Sequence, residues 1–161
     1  MASVYLETSF VSAHVSNRSD TASVYRRDVS QDWWLNQSNR HKLYVSDEVL
    51  VELSDRRFPH RDAALDLIKD LPILTTTPEV AGLASILVQQ RVMPGPLRGD
   101  AFHVATAALA GIEYILSWNV RHLANPNKTQ HLMKVCLSVG VVAPRIVTPD
   151  LLWEDDDETE G

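Results

Sequence analysis

Four oxygen-bearing side chains, Glu7, Glu52, Asp100 and Asn119, stand where an α/β chain presents residues to a common site. Three carboxylates and an amide oxygen are hard ligands, suited to Mg²⁺ or Mn²⁺ rather than to a thiolate or imidazole zinc site. Carboxylates held close together repel one another, so a bound divalent cation gives such a cluster a physical reason to exist. Taken singly, each of these acids reads equally well as a helix-start or surface charge. Glu48 competes with Glu52 because it lies four residues earlier, on the same face of the same helical stretch. As the alternative to a site role, Glu48 is a solvent-facing or helix-start acid.

Positioning these groups requires strands that alternate with helices, and the hydrophobic pattern supplies that alternation. A strand over Ser3–Leu6 delivers Glu7 at its carboxyl end, and helices are expected over Thr8–Val15 and Thr21–Gln37. A second strand, Lys42–Val45, leads to Ser46, which caps a helix over Asp47–Leu53 that carries Glu52. A helix over His60–Leu71, a short strand over Ile73–Thr76 and a helix running from Pro78 to Arg91 follow, and Met93-Pro94-Gly95-Pro96 breaks the last. Asp100 opens an alanine-rich helix closed at Gly111, whose alanines read as close packing. Tyr114–Ser117 is a strand that delivers Asn119, Lys128–Gly140 a helix and Arg145–Val147 a last strand. In an open parallel sheet ligands bind outside the carboxyl ends of the strands, which is where these four residues fall.

The chain has 161 residues, 45% of them hydrophobic, enough to bury a core without disulfides. The expected organisation is one domain over residues 1–153 followed by an acidic, disordered tail over 154–161. Six of the 21 acidic residues lie in that tail, which leaves 15 acidic against 15 basic residues and a neutral body within a chain of net charge −6. The single cysteine, Cys136, lies in an apolar stretch and reads as a buried, inert thiol; with no apolar run long enough for a membrane span or signal peptide, a cytoplasmic location is expected. No glycine-rich phosphate loop follows the first strand, which argues against a nucleotide-binding or phosphotransfer domain.

Tyr5-Leu6-Glu7-Thr8-Ser9, Ser46-Asp47-Glu48-Val49-Leu50-Val51-Glu52-Leu53, Gly99-Asp100-Ala101-Phe102-His103-Val104-Ala105 and Ser117-Trp118-Asn119 resemble, in order, the four motifs of PIN-domain proteins, above all the stand-alone VapC-type toxins. The resemblance covers the chain from Val4 to about Asp150. It implies a three-layer α/β/α sandwich with a mainly parallel sheet of four to five strands, and Mg²⁺- or Mn²⁺-dependent endoribonuclease activity. It also implies RNA as substrate, a co-expressed antitoxin as partner and a homodimer. Glu7, Glu52, Asp100 and Asn119 take the four acidic positions, the first three as metal ligands. Two positions depart from the commonest pattern: Glu7 stands where aspartate is usual and is one methylene longer, and Asn119 replaces a frequent aspartate without its charge. These departures motivate an alternative, a PIN-fold module that binds RNA or antitoxin with weak or no catalysis.

Several neighbours keep two readings. Ser9 resembles the small hydroxyl residue that orients metal-site groups in this family, and is equally a helix-start hydroxyl. Ser117 either orients Asn119 or ends a strand. His103, on the same helical face as Asp100, either pairs with a site carboxylate or substrate, or is a satisfied, partly buried histidine. Arg56, Arg57, His60 and Arg61 after the Glu52 helix, Arg98 beside Asp100, and Arg121 with His122 are the basic groups available to steer phosphates, or else solvated surface charges. Trp33 and Trp34 diverge by about 100° on a helix, so one packs inside and the other is an interface candidate.

Overall fold

The computed structural model of the chain describes residues 1–155, so most of the acidic tail, 156–161, lies outside the described residues. Five strands form one parallel sheet in the order β3-β2-β1-β4-β5: β1 (Ser3–Leu6), β2 (Lys42–Ser46), β3 (Ile73–Leu74), β4 (Tyr114–Leu116) and β5 (Arg145–Val147). Among the described residues seven α-helices accompany them: α1 (Thr8–Val15), α2 (Thr21–Gln37), α3 (Asp47–Leu53), α4 (Arg61–Ile68), α5 (Pro78–Gln89), α6 (Asp100–Leu109) and α7 (Pro126–Ser138). The architecture is the expected three-layer α/β/α sandwich.

β1 is the central strand, with Tyr5 beside Tyr44 of β2 on one side and Ile115 of β4 on the other. Its residues Val4, Tyr5 and Leu6 are fully buried. A parallel strand flanked on both edges and covered on both faces reads as a continuous apolar run, which is why the sequence locates it so sharply. Because the chain winds from β1 towards β2 and later returns to β4 on the opposite side, the carboxyl end of β1 is a topological switch point, and a crevice opens there.

Helix boundaries follow capping chemistry. Ser46 accepts from the Val49 amide at 3.3 Å, Thr77 from Val80 at 3.2 Å ahead of Pro78, and Asp20 from Ser23 at 3.2 Å. Past the end of α6, Gly111 takes φ +71°, the Gly111 amide donates to Ala108 and the Ile112 amide to Ala107. This is a closed left-handed cap that a side chain at 111 would strain.

Several expected boundaries shift. β3 is two residues rather than four, because only Val45 and Ser46 of β2 pair with it. The fourth strand stops at Leu116; Ser117 turns its hydroxyl into the site instead. The helix expected at Lys128 starts two residues earlier, with Asn125 as cap and Pro126 in its first turn. The helix expected over His60–Leu71 is the shorter α4.

Trp33 is fully buried, stacks on His41 and donates its indole N–H to the Leu152 carbonyl at 2.7 Å. Trp34 is partly buried and meets His14 edge-on. Cys136 is buried and free, and burial pushes its thiol pKa up, as expected of an unreactive core thiol. Gln37, itself buried, holds both backbone groups of Glu154, at 3.0 and 2.8 Å. Among the described residues no helix is long and apolar enough to cross a membrane.

Candidate functional site

Glu7 follows β1 directly and serves as the N-cap of α1: its Oε2 accepts from the Ser9 amide at 3.0 Å. The other carboxylate oxygen, Oε1, accepts from the Ser9 hydroxyl at 2.5 Å and the Ser117 hydroxyl at 2.6 Å. Both hydroxyls are themselves anchored, Ser9 by the Trp118 amide at 2.8 Å and Ser117 by the Asn119 amide at 3.0 Å. Glu7 thus bends back onto its own helix, which absorbs the extra methylene. Ser9 and Ser117 orient Glu7 rather than the Asn119 side chain.

Glu52 projects from the last turn of α3. Its Oε1 accepts from Thr8 Oγ1 and faces His103 Nε2, each at 2.6 Å. His103 is fully buried on α6, and its Nδ1 lies 2.5 Å from the Tyr5 hydroxyl, which in turn lies 2.6 Å from Ser46 Oγ. Both sequence readings of His103 therefore hold at once: it is a satisfied core residue and the partner of a site carboxylate, although wholly rather than partly buried. Burial works against its charge, but the Glu52 hydrogen bond and the fields of Glu7, Glu52 and Glu48 outweigh it and raise the imidazole pKa. On Glu52 burial likewise opposes ionisation, and the His103 hydrogen bond and charge with the Thr8 hydrogen bond bring the net shift downward.

Asp100 opens α6. Burial and then the Glu7 charge push its carboxyl pKa up. Asn119 donates its amide nitrogen to both Asp100 oxygens, at 3.3 and 3.4 Å, while its own oxygen accepts from the His122 amide at 3.3 Å. With that orientation Asn119 holds Asp100 in place and its carbonyl is already engaged.

Ligand atoms of Glu7, Glu52 and His103 all lie within 4.8 Å of one another. Glu7 is only 5% exposed, yet its polar partners are hydroxyls, one amide and, at 3.9 Å, the His103 ring. Among the described residues neither Glu7 nor Asp100 makes an ion pair with a lysine or arginine. Glu7 is buried, its field together with burial raises the Asp100 pKa, and neither carboxylate has a lysine or arginine partner, so with Glu52 they form a donor set that fits a hard divalent ion.

The competitor Glu48 stands in the first turn of α3, as a helix-start acid does, but it does not face solvent, nor does it join the three ligand groups. It is 2% exposed, binds the Arg98 guanidinium through both oxygens at 2.8–3.2 Å and accepts the Gly99 amide at 2.7 Å. Arg98 is thereby engaged, and lies over the Phe102 ring. Arg57 pairs with Asp55 and Arg61 with Asp62. A cleft of about 750 Å³ opens from Glu7 and Asn119 and is walled by α1, α2, the Phe58–His60 loop and Trp118–Arg121. Of the basic groups expected to meet phosphate, Arg121 and His60 line this cleft, whereas Arg56 and Arg61 line a neighbouring one. Tyr5, Thr8 and Arg26 are contacts that sequence reasoning missed. A tyrosine in a buried strand reads as core, and only a partner on another element reveals the use of its hydroxyl.

No family model matches the chain, and no curated protein is significantly similar to it. Solved structures are. The Mycobacterium tuberculosis toxin VapC20, described as cleaving the sarcin-ricin loop, superposes with a TM-score of 0.57 at 18% identity, over 88% of this chain and 98% of that one. VapBC2 of Rickettsia felis, solved with a DNA fragment from its promoter, gives a TM-score of 0.57 at 14% identity, over 91% of this chain and 98% of that one. At such identities the likeness is one of architecture: this chain has the PIN-like α/β/α fold seen in VapC-type toxins.

Proposed function

We propose that the chain is a divalent-metal-dependent endoribonuclease and the toxin of a toxin–antitoxin pair, acting in the cytoplasm as a homodimer and held inactive by a cognate antitoxin. The observation that carries this reading is the buried Glu7 carboxylate, fixed by three hydrogen bonds, within 4.8 Å of a Glu52 oxygen and without a lysine or arginine partner. Glu7, Glu52 and Asp100 would hold Mg²⁺ or Mn²⁺, with Asn119 steadying Asp100. Such an ion supplies positive charge to a phosphoryl oxygen and to the attacking water. The chain's own contribution is to fix the ligands: Ser9 and Ser117 on Glu7, Thr8 and His103 on Glu52, Asn119 on Asp100. The VapC20 comparison supports RNA as the substrate class, and VapBC2 supports an antitoxin partner.

The expected outcome is cleavage of RNA that requires Mg²⁺ or Mn²⁺ and falls at least about a hundredfold in Asp100→Asn and in Glu52→Gln, read on a gel of a structured RNA substrate. Cleavage that persists in both variants and in EDTA refutes the assignment. One observation favours a second reading, a PIN-fold module that binds RNA or antitoxin with weak catalysis: Asn119 adds no charge, and His103 offsets that of Glu52. On that reading Glu7→Asp combined with Asn119→Asp raises activity above the unaltered chain.

A further inference from the structure

The net charge of −6 sets a problem for a chain that must admit a phosphodiester, and the cleft beside the site answers it. Apart from Glu7 at one end, no acidic side chain lines this cleft, while Arg18, Arg26, Arg121 and His60 do. Their states differ. Arg18 is tied to Asp20 at 3.3 Å. Arg26 and Arg121 are exposed and make no ion pair among the described residues.

Arg26 is nevertheless placed. Its guanidinium lies over the Trp118 ring, 5.9 Å from the centroid; that indole is 7% exposed, meets Tyr25 edge-on and donates to Ser30 at 2.8 Å. Trp118 thereby docks three residues of α2 against the segment after β4, one residue from Asn119. Such a cation is pre-oriented yet not neutralised, the condition under which it gains most from a phosphate. Along the wall between, Ser9 and Ser12 on α1 and Ser16 at its C-terminal end line the cleft with small polar side chains that add no negative charge.

Resting on the nuclease reading for its substrate class, we propose that this cleft is the track for an unpaired RNA segment, with Arg26 and Arg121 as its phosphate-positioning residues. The strand is single because Glu7, at one end of the cleft, is only 5% exposed, and the reacting phosphodiester must approach it closely. In a duplex the second strand stands alongside and holds the backbone out, and unpaired segments are the ones that proteins splay into such clefts. Arg57, Arg61 and Arg98, each already paired to an acid, stay outside the track.

The test is fluorescence anisotropy of a labelled, mixed-sequence single-stranded RNA oligonucleotide on the full chain, with Ca²⁺ replacing Mg²⁺, across a salt series. Arg26→Ala and Arg121→Ala should each weaken binding about tenfold at ~0.1 M salt and reduce the slope of log affinity against log salt by about 0.7. Arg26→Lys should retain the slope, the charge-matched surface control Lys69→Ala should bind as the unaltered chain does, and a duplex of the same sequence should compete poorly. Circular dichroism confirms that the variants are folded. Binding is read apart from turnover, so an RNA-binding chain that never cleaves loses the nuclease reading and keeps the track. Conversely, unchanged affinity in both alanine variants, loss in Arg57→Ala or Arg61→Ala instead, or duplex binding equal to single-strand binding overturns the track and leaves the nuclease reading untouched. Unchanged RNA affinity alongside arginine-dependent binding of poly-glutamate assigns the cleft to an acidic protein segment and likewise overturns it. Failure of the unaltered chain to bind RNA at low salt ends both.

Discussion

Glu7 combines two tasks in one side chain: it caps α1 and carries the buried charge of the site. Its hydrogen-bond acceptors are divided accordingly, one oxygen for the helix amide and the other for the two serine hydroxyls. Ser117→Ala removes the donor that fixes the second oxygen without altering its charge, and should weaken Mn²⁺ binding about tenfold, measured by titration calorimetry, with the fold intact by circular dichroism. An unchanged affinity would mean that Glu7 does not bind the ion. Glu7 and Asn119 just past strand ends and Asp100 at a helix start were placed by the sequence through those boundaries, whereas Glu52, in the last turn of α3, was placed by its motif. The direction in which each side chain turns was not readable. Whether Glu48 or Glu52 faces the site depends on Arg98, 50 residues away from Glu48, and whether Asn119 offers oxygen or nitrogen depends on His122 and Asp100.

At the level of elements, α3 is tied to the segment leading into α6 through that same Glu48, which the spacing alone left level with Glu52. Its side chain is 3% exposed and its partner Arg98 is 57% exposed. Arg98→Ala leaves a buried carboxylate with the Gly99 amide as its remaining donor. Loss of one partner of a buried pair costs several kcal/mol, and the exposure of the arginine discounts this to about 2 kcal/mol, read from urea unfolding midpoints. A change within about 0.5 kcal/mol would show that the guanidinium is dispensable to the packing. Elements with local signals were legible to the residue: β1 by its unbroken apolar run, α2 by its amphipathic length, α3 by Ser46. Those set by pairing were not. β3 is short because β2 offers it only two partners, and no property of residues 73–76 announces that.

Across the whole molecule the site is a source of repulsion that folding must tolerate. Burial and the Glu7 field raise the folded-state pKa of Asp100 above its unfolded value near 3.8, so the folded chain binds the extra proton between the two values and stability falls as pH rises through that window. The penalty is complete above the folded pKa and absent below 3.8. In EDTA, Asp100→Asn should therefore be more stable than the unaltered chain at pH 7, and the difference should vanish by pH 4; a less stable variant at pH 7 contradicts the sign. Addition of Mn²⁺ at about 100 times Kd should stabilise the unaltered chain by roughly 2.7 kcal/mol, a rise of about 5–10 °C in Tm, and the variant by much less.

Gly99, at φ +79°, gives its amide to Glu48 one residue before Asp100, at the end of the irregular passage that follows α5. That anchor fixes the start of α6 independently of the exposed stretch before it, whereas Val92 and Met93 are held in the core. Insertions between residues 95 and 97 should therefore leave Asp100 in place, so this is where the chain can accept a grafted peptide while the chemistry at the strand ends stays aligned.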